Sequence, residues 1–288
     1  NNAMFAFVDP GDEVIIPTPS FVTYKALTAM CGATIVEIPL RGEDNFQLQL
    51  KDLEKAVSAK TKMLVLNNPC NPTGAVIPYE TMKGICELAK KYNFIILADE
   101  IYGRLIYGDA KFYSVASFPD MKERTIVVSG FSKTFAMTGW RIGYICTAAK
   151  YLPVLLRCHQ YSTTCSPTFI QVALAEAMNS DLTRKQVDSM LKEFAARRDL
   201  VMQELDTIPG LSYSIPQGAF YILVNVSGLH MKGTEFSQKC LEEAYVATVP
   251  AIGLGEETDT YVRFSYAASQ EDIKEGFRRI RELVKHLS

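Results

Sequence analysis

The chain is a succession of short, nearly uninterrupted apolar runs separated by stretches of helical periodicity, and this alternation restricts the fold more than any other feature. Six runs read as strands: Glu13–Ile16, Thr34–Ile38, Met63–Leu66, Phe94–Ala98, Thr125–Val128 and Arg141–Cys146. They are rich in valine and isoleucine and show no regular polar face, as expected of strands covered on both sides. Between them, Pro78–Tyr92 puts Met82, Ile85, Cys86, Leu88 and Ala89 on one helical stripe, with lysines near its C-terminal end. Strands alternating with amphipathic helices predict an α/β layered fold with a largely parallel sheet.

Beyond about Thr147 helical patterns dominate, over Tyr151–Tyr161, Pro167–Asn179 and a long segment from Leu182 to Leu205. A second, smaller alternation follows. Ala219–Val226 and Tyr261–Tyr266 read as strands, Gly233–Tyr245 and Gln270–Leu287 as helices. Ser269 is the expected N-cap of the last helix, with Asp272 early and Lys285 late as the macrodipole favours. The expected organisation is a large α/β domain over 1–183, then a long connecting helix and a smaller C-terminal α+β domain over 184–288. The opening "NNAMFAFVDPGDEV" runs from an apolar, helix-compatible stretch into an Asp-Pro-Gly turn. It reads as the back half of a helix, so the chain is expected to be incomplete at this end.

Composition excludes several classes of function. The 288 residues are 48% hydrophobic and 22% charged, an ordinary globular balance. A net charge of −2 without charge blocks argues against a nucleic-acid surface or a polybasic membrane patch. No apolar run reaches the ~18 residues of a spanning helix. Seven scattered cysteines, an odd number with no CxxC pair, do not make a complete disulfide framework and favour a reducing, cytoplasmic compartment.

Ligands of an open α/β sheet bind beyond the C-terminal ends of its strands. Three of the predicted strands deliver chemistry there. Met63–Leu66 runs into "NNPCNPTG", Phe94–Ala98 into Asp99, Glu100, Ile101 and Tyr102, and Thr125–Val128 into "SGFSKTFAMTGWRIG". Taken singly, each has an ordinary reading as a turn, a cap or a surface lysine. Together they bring an amide-rich turn, a carboxylate, a phenol and a lysine to one edge. No nucleotide or metal motif competes. There is no GxGxxG after a strand, no P-loop spacing of glycines before Lys133, no HExxH pair, and no G-x-S-x-G elbow around Ser132.

A cofactor that uses all these groups has an aldehyde for Lys133, a ring nitrogen for Asp99, a ring hydroxyl for Tyr102 and Asn71, and a phosphate for Arg141 and the serines. That describes pyridoxal 5′-phosphate. Schiff-base formation requires the Lys133 amine to give up its proton, which burial and a neighbouring cation assist. Asp99 keeps the ring nitrogen protonated, and Arg141 offers the phosphate a planar fork.

"NPCNPTG", "LADEIY", "SGFSKTFAMTGWRIGY" and "YVRFSYA" resemble the signatures of class I/II aminotransferases of the aspartate aminotransferase superfamily. The resemblance runs from "DPGDEVIIPTPSFVTY" to the C-terminus. It implies fold type I: a large domain whose mostly parallel, seven-stranded type of sheet is sandwiched by helices, with a smaller α+β domain. It also implies roles. Lys133 is the lysine that joins the cofactor and moves the substrate's proton, Asp99 pairs with the pyridinium, and Tyr102 and Asn71 contact the ring oxygen. Arg141 holds the phosphate. Arg263, in "YVRFSYA", is similar to the arginine that grips the substrate's α-carboxylate. Phe21, in "PTPSFVTY", takes the slot where the family stacks an aromatic on the ring. Many relatives carry a serine three residues before the lysine; here Gly130 stands there, so the phosphate assignment is shared between Ser129 and Ser132. Relatives also have a further N-terminal segment, with a glycine-rich phosphate loop, that has no counterpart in this sequence.

The implied activity is a ping-pong transfer of an amino group from an L-amino acid to a 2-oxo acid, in a homodimer acting on small molecules, with no nucleic-acid or membrane partner. A C–S β-lyase on the same fold shares Lys133, Asp99 and Arg141, and a non-catalytic ligand-sensing domain shares the fold. Aspartate, aromatic amino acids, alanine and diamino acids all stay open as substrates.

Overall fold

The structure is a computed structural model that describes residues 1–287. The N-terminal part contains helix α1 (Asn2–Phe7), strand β1 (Glu13–Thr18), helix α2 (Thr23–Met30), strand β2 (Thr34–Pro39), helix α3 (Leu50–Ala56) and strand β3 (Thr61–Asn67). It continues with helix α4 (Tyr79–Tyr92), β4 (Ile95–Asp99), β5 (Thr125–Gly130) and β6 (Gly143–Thr147). The six strands form one sheet in the order β2-β1-β3-β4-β5-β6. The first five are parallel and β6 runs antiparallel to β5. All six sequence-predicted strands are present, with ends moved by a residue or two. The sheet has six strands, not the seven-stranded type that the resemblance implied.

Strand alternation divides the apolar residues between two faces. Ile15, Leu64, Leu66, Ile96 and Ala98 pack with Met82, Ile85 and Ala89 of α4 on one face. Val14, Ile16, Met63, Val65 and Leu97 pack with Met4 of α1 and Tyr24 of α2 on the other. Burial on both faces explains why these strands read as continuous apolar runs. A fully buried leucine or isoleucine contributes about 1.5–3 kcal/mol, so this sheet is a rigid base for whatever its strand ends carry. Chain order reverses between β1 and β3, which makes a crevice at the C-terminal edge.

Helices α5 (Leu152–Ser162), α6 (Thr168–Ala177) and α7 (Asp181–Asp206) follow. A second sheet, in the order β7-β8-β10-β9, comprises β7 (Ser212–Tyr213), β8 (Tyr221–Asn225), β9 (Val249–Pro250) and β10 (Tyr261–Ser265). Helices α8 (Gly233–Glu242) and α9 (Gln270–Leu287) cover it. At the start of α9 the Ser269 hydroxyl accepts from the Asp272 N–H at 3.1 Å, the cap expected from sequence. The two sheets share packing. Tyr102, Leu105 and Tyr107, which follow β4, enter the C-terminal core, while Leu223, Ala251 and Leu254 enter the N-terminal one. Among the described residues no helix is long and apolar enough to cross a membrane.

Candidate active site

Sheet register sets the site. Asn67 pairs with Asp99 and Asp99 with Val128, so the ends of β3, β4 and β5 stand level. The loops beyond them wall a cleft of about 420 Å³, within the roughly 300–1,000 Å³ usual for cofactor pockets. Eight of the nine residues singled out from sequence line it: Phe21, Asn71, Asp99, Tyr102, Ser129, Ser132, Lys133 and Arg141. The ninth, Arg263, lies behind this wall and reaches it through Asn71, whose side-chain oxygen accepts from Arg263 Nη1 at 2.9 Å.

Asp99 ends β4 half-buried. It accepts two hydrogen bonds, from the Tyr24 hydroxyl at 2.7 Å and the Ile101 N–H at 3.1 Å. Burial nevertheless pushes its pKa above the usual carboxylate range, against the pull of those two donors and, more weakly, of the N-terminal ammonium. Neither donor is a cation, so the carboxylate is buried without a counter-charge bonded to it. Its neighbour Tyr24 is pushed well above the usual phenol range by burial and by the Asp99 charge, and remains a proton donor.

Lys133 sits one turn beyond β5 in a loop closed by backbone bonds from Phe135 and Met137 to the Phe131 carbonyl. Its amine lies 5.4 Å from the centre of the Phe220 ring. Burial first, then the charges of Arg141 and Arg263, bring its pKa below the ordinary lysine value. Such an amine is more readily neutral, as a nucleophile must be. Arg141 is exposed, with a left-handed backbone at φ 52°, and its Nη1 donates to the Thr138 carbonyl at 2.9 Å. The Ser129 hydroxyl makes only a long bond, 3.3 Å, to the Glu100 carbonyl. Gly130 pairs with Gly143 across β5 and β6, and a Cβ built there would come 3.0 Å from the Gly143 Cα. The serine that many relatives carry at this place therefore does not fit without movement of β6.

Tyr102 is buried, its hydroxyl 3.3 Å from that of Tyr221. Burial raises its pKa far beyond the working range, so it stays a donor. Asn71 is buried in the "NPCNPTG" loop, its N–H held by the Asn67 side chain at 2.7 Å. Phe21 stands 41% exposed at the mouth and meets Tyr24 edge-on. Six lining residues were not singled out as site residues from sequence: Tyr24, Asn67, Ile101, Val128, Thr138 and Tyr221. Tyr24 is one helical turn after Phe21 in the quoted "PTPSFVTY", and Asn67 opens "NNPCNPTG", so both had a local signal. Tyr221 had none, because its importance comes from partners distant in sequence.

This donor set matches pyridoxal 5′-phosphate group by group. It supplies an amine shifted toward neutrality, a half-buried carboxylate with no cation bonded to it, a phenol and an amide, and a guanidinium in the same cleft as two hydroxyls. The charges of Arg141 and Arg263 act against protonation of Lys133, and anionic ligand groups would balance this cluster of cations.

The fold and site belong to a recognisable class. Residues 1–280 match the family model described as aminotransferase class I and II, and the chain belongs to that family. It is 41% identical over 280 residues to an aspartate aminotransferase of Pyrococcus abyssi, covering 97% of this chain and 72% of that protein. It is 39% identical to aromatic-amino-acid aminotransferase 2 of Thermococcus litoralis, with the same coverage. The solved structure of an aromatic aminotransferase from Pyrococcus horikoshii superposes with a TM-score of 0.96 at 40% identity, over 99% of this chain and 76% of that one. Family members of this class generally depend on pyridoxal 5′-phosphate.

Proposed function

We propose that this chain, holding pyridoxal 5′-phosphate in the cleft, transfers an amino group from an L-amino acid to a 2-oxo acid in two half-reactions. When bound, the cofactor supplies an aldehyde to which amines attach and a ring that accepts the electron pair left when the substrate Cα loses its proton. Lys133 would hold the cofactor through that aldehyde and, once freed by the substrate amine, would take up the proton from the substrate Cα. Asp99 would accept from the ring nitrogen and keep it charged. Tyr102 and Asn71 donate toward the ring oxygen, and Arg141 with Ser129 and Ser132 holds the phosphate. Phe21 covers the ring. Arg263 binds the substrate carboxylate. The observation that carries this reading is one cleft containing both a lysine shifted toward neutrality and a buried carboxylate with no cation bonded to it.

Borohydride reduction of the cofactor-supplied protein, followed by peptide mapping, tests it. A pyridoxyl label is expected on Lys133, and Lys133→Ala is expected to lose both the visible absorption band and turnover. A label on another lysine, or a Lys133→Ala variant that keeps the band, overturns the assignment. Supplying an amino donor with and without a 2-oxo acid separates transfer from elimination, because a β-lyase releases pyruvate and ammonia from cystathionine without an acceptor. A cytoplasmic homodimer is part of the same reading. All seven cysteines are unpaired, which suits a reducing compartment, and sedimentation reports the subunit number.

A further inference from the structure

Tyr221 touches two members of the site. It opens β8, which pairs antiparallel with β10 so that Leu223 stands opposite Arg263. Residues two apart on a strand share a face, so Tyr221 and Arg263 are diagonal neighbours on one side of the sheet. The Arg263 guanidinium carbon lies 4.6 Å from the centre of the Tyr221 ring. On its other flank Arg263 donates to Asn71. The Tyr221 hydroxyl lies 3.3 Å from that of Tyr102, and the two rings meet edge-on at 5.9 Å and 83°. Tyr221 is 8% exposed, yet it lines the cleft.

We propose that Tyr221 is a positioning residue that joins the carboxylate end of the site to the ring-oxygen end. Its ring face fixes the plane of Arg263, and its hydroxyl supports Tyr102. The proposal rests on the transaminase reading above. A guanidinium confined between an aromatic face and an amide oxygen has lost most of its freedom before a carboxylate arrives, so less is lost on binding. Desolvation strengthens the contact between cation and ring. A phenol has one proton. When Tyr102 donates that proton toward an acceptor in the cleft, its oxygen can accept from Tyr221, and successive hydrogen bonds polarise one another. The titratable and charged groups acting on Tyr102 are Tyr221, Asp99 and Arg263. Those acting on Lys133 are Arg141 and Arg263.

Tyr221→Phe keeps the ring and removes the hydroxyl; Tyr221→Leu removes both. Two quantities are read on the cofactor-supplied proteins. One is the dissociation constant of unreactive carboxylates, maleate and 3-phenylpropionate, followed through the cofactor's absorption. The other is the pH midpoint of that absorption. Tyr221→Leu is expected to weaken whichever carboxylate the wild type binds by about tenfold or more, and Tyr221→Phe by no more than about twofold. Both are expected to raise the midpoint by about half a pH unit, because the negative ring oxygen is held less well and the proton near it more tightly. Tyr221→Met replaces Tyr221→Leu if the melting temperature shows that the latter does not fold. Equal weakening by the phenylalanine and aliphatic variants, no weakening by either, or an unmoved midpoint overturns the proposal. A wild type without any visible band refutes the cofactor reading itself and this proposal with it. A wild type with the band beside unaffected variants refutes the role of Tyr221 alone.

Discussion

Asp99 shows how a single residue can be costly to the empty fold and useful to the site. Burial raises its pKa despite two hydrogen bonds. A carboxylate whose folded pKa lies above its unfolded value favours the protonated form in the fold. It therefore lowers stability at pH values above the folded pKa, and that loss is relieved as pH falls through the folded pKa toward the unfolded value near 4. The cofactor-free protein is expected to gain stability over that window, and Asp99→Asn to lack the gain. At neutral pH, Asp99→Asn is expected to raise the melting temperature of the cofactor-free protein by about 2 °C or more. The same variant is expected to weaken cofactor binding by about tenfold or more, since a charge-assisted bond is lost. Calorimetry with and without cofactor checks both signs, and a variant that melts lower in the cofactor-free state contradicts the account. The catalytic types at strand ends were legible in the sequence, because a buried strand that ends in Asp99 or runs on to Lys133 is chemically unusual. Tyr24 was not singled out. Its place in "PTPSFVTY" marked the segment, but its bond to Asp99 spans 75 positions, and that pairing is set by the fold.

Legibility among the elements followed length and apolar content. The strands of the larger sheet and the long helices α4, α7 and α9 were visible because their periodicity extends over enough residues to stand out. Helix α2 was missed. Its buried positions include Tyr24 and Thr28, which do not read as an aliphatic stripe. Helix α3 spans seven residues, and β7 and β9 two each, too few for a period to register. The close approach of β5 and β6 was also hidden. Gly130 faces Gly143, and a side chain at 130 would meet the Gly143 Cα at 3.0 Å and the Ile142 carbonyl at 3.1 Å. Restoring the relatives' serine with Gly130→Ser is therefore expected to destabilise the fold by about 1–3 kcal/mol without strengthening cofactor binding. Urea unfolding and a cofactor titration report the two effects. A tighter-binding, undiminished Gly130→Ser protein would show that β6 yields easily and that the glycine pair is not what excludes the serine.

The molecule as a whole places its site across a seam. Lys133, Asp99 and the serines stand on the strand ends and following loops of the six-stranded sheet, whereas Arg263 and Tyr221 belong to the four-stranded one. The seam is held by backbone bonds. Gln217 and Gly218 both donate to the Gly74 carbonyl, at 2.8 and 2.9 Å, Tyr107 donates to the Gln217 carbonyl, and Ala219 to that of Leu105. Gly218 is a place of close approach between the two halves, since an added Cβ would lie 2.6 Å from Pro69 Cγ and 2.9 Å from the Leu105 carbonyl. Pro69 is two residues from Asn71, the only hydrogen-bond bridge from the cleft wall to Arg263 among the described residues. Gly218→Ala is thus expected to push the "NPCNPTG" loop from the second sheet and cost about 1–3 kcal/mol of stability. The functional effect should be unequal. Groups that hold the ring and its lysine lie on one side of the seam, so the visible band and cofactor affinity are expected to change by no more than about twofold. Carboxylate recognition needs both sides, so the dissociation constant of an unreactive carboxylate is expected to rise by about tenfold, the scale of one misplaced charge-assisted contact. Titrating cofactor and carboxylate separately on the purified variant measures the two losses. Equal losses would mean that Gly218 supports the fold at large and that the register between the sheets does not set the distance from Lys133 to Arg263.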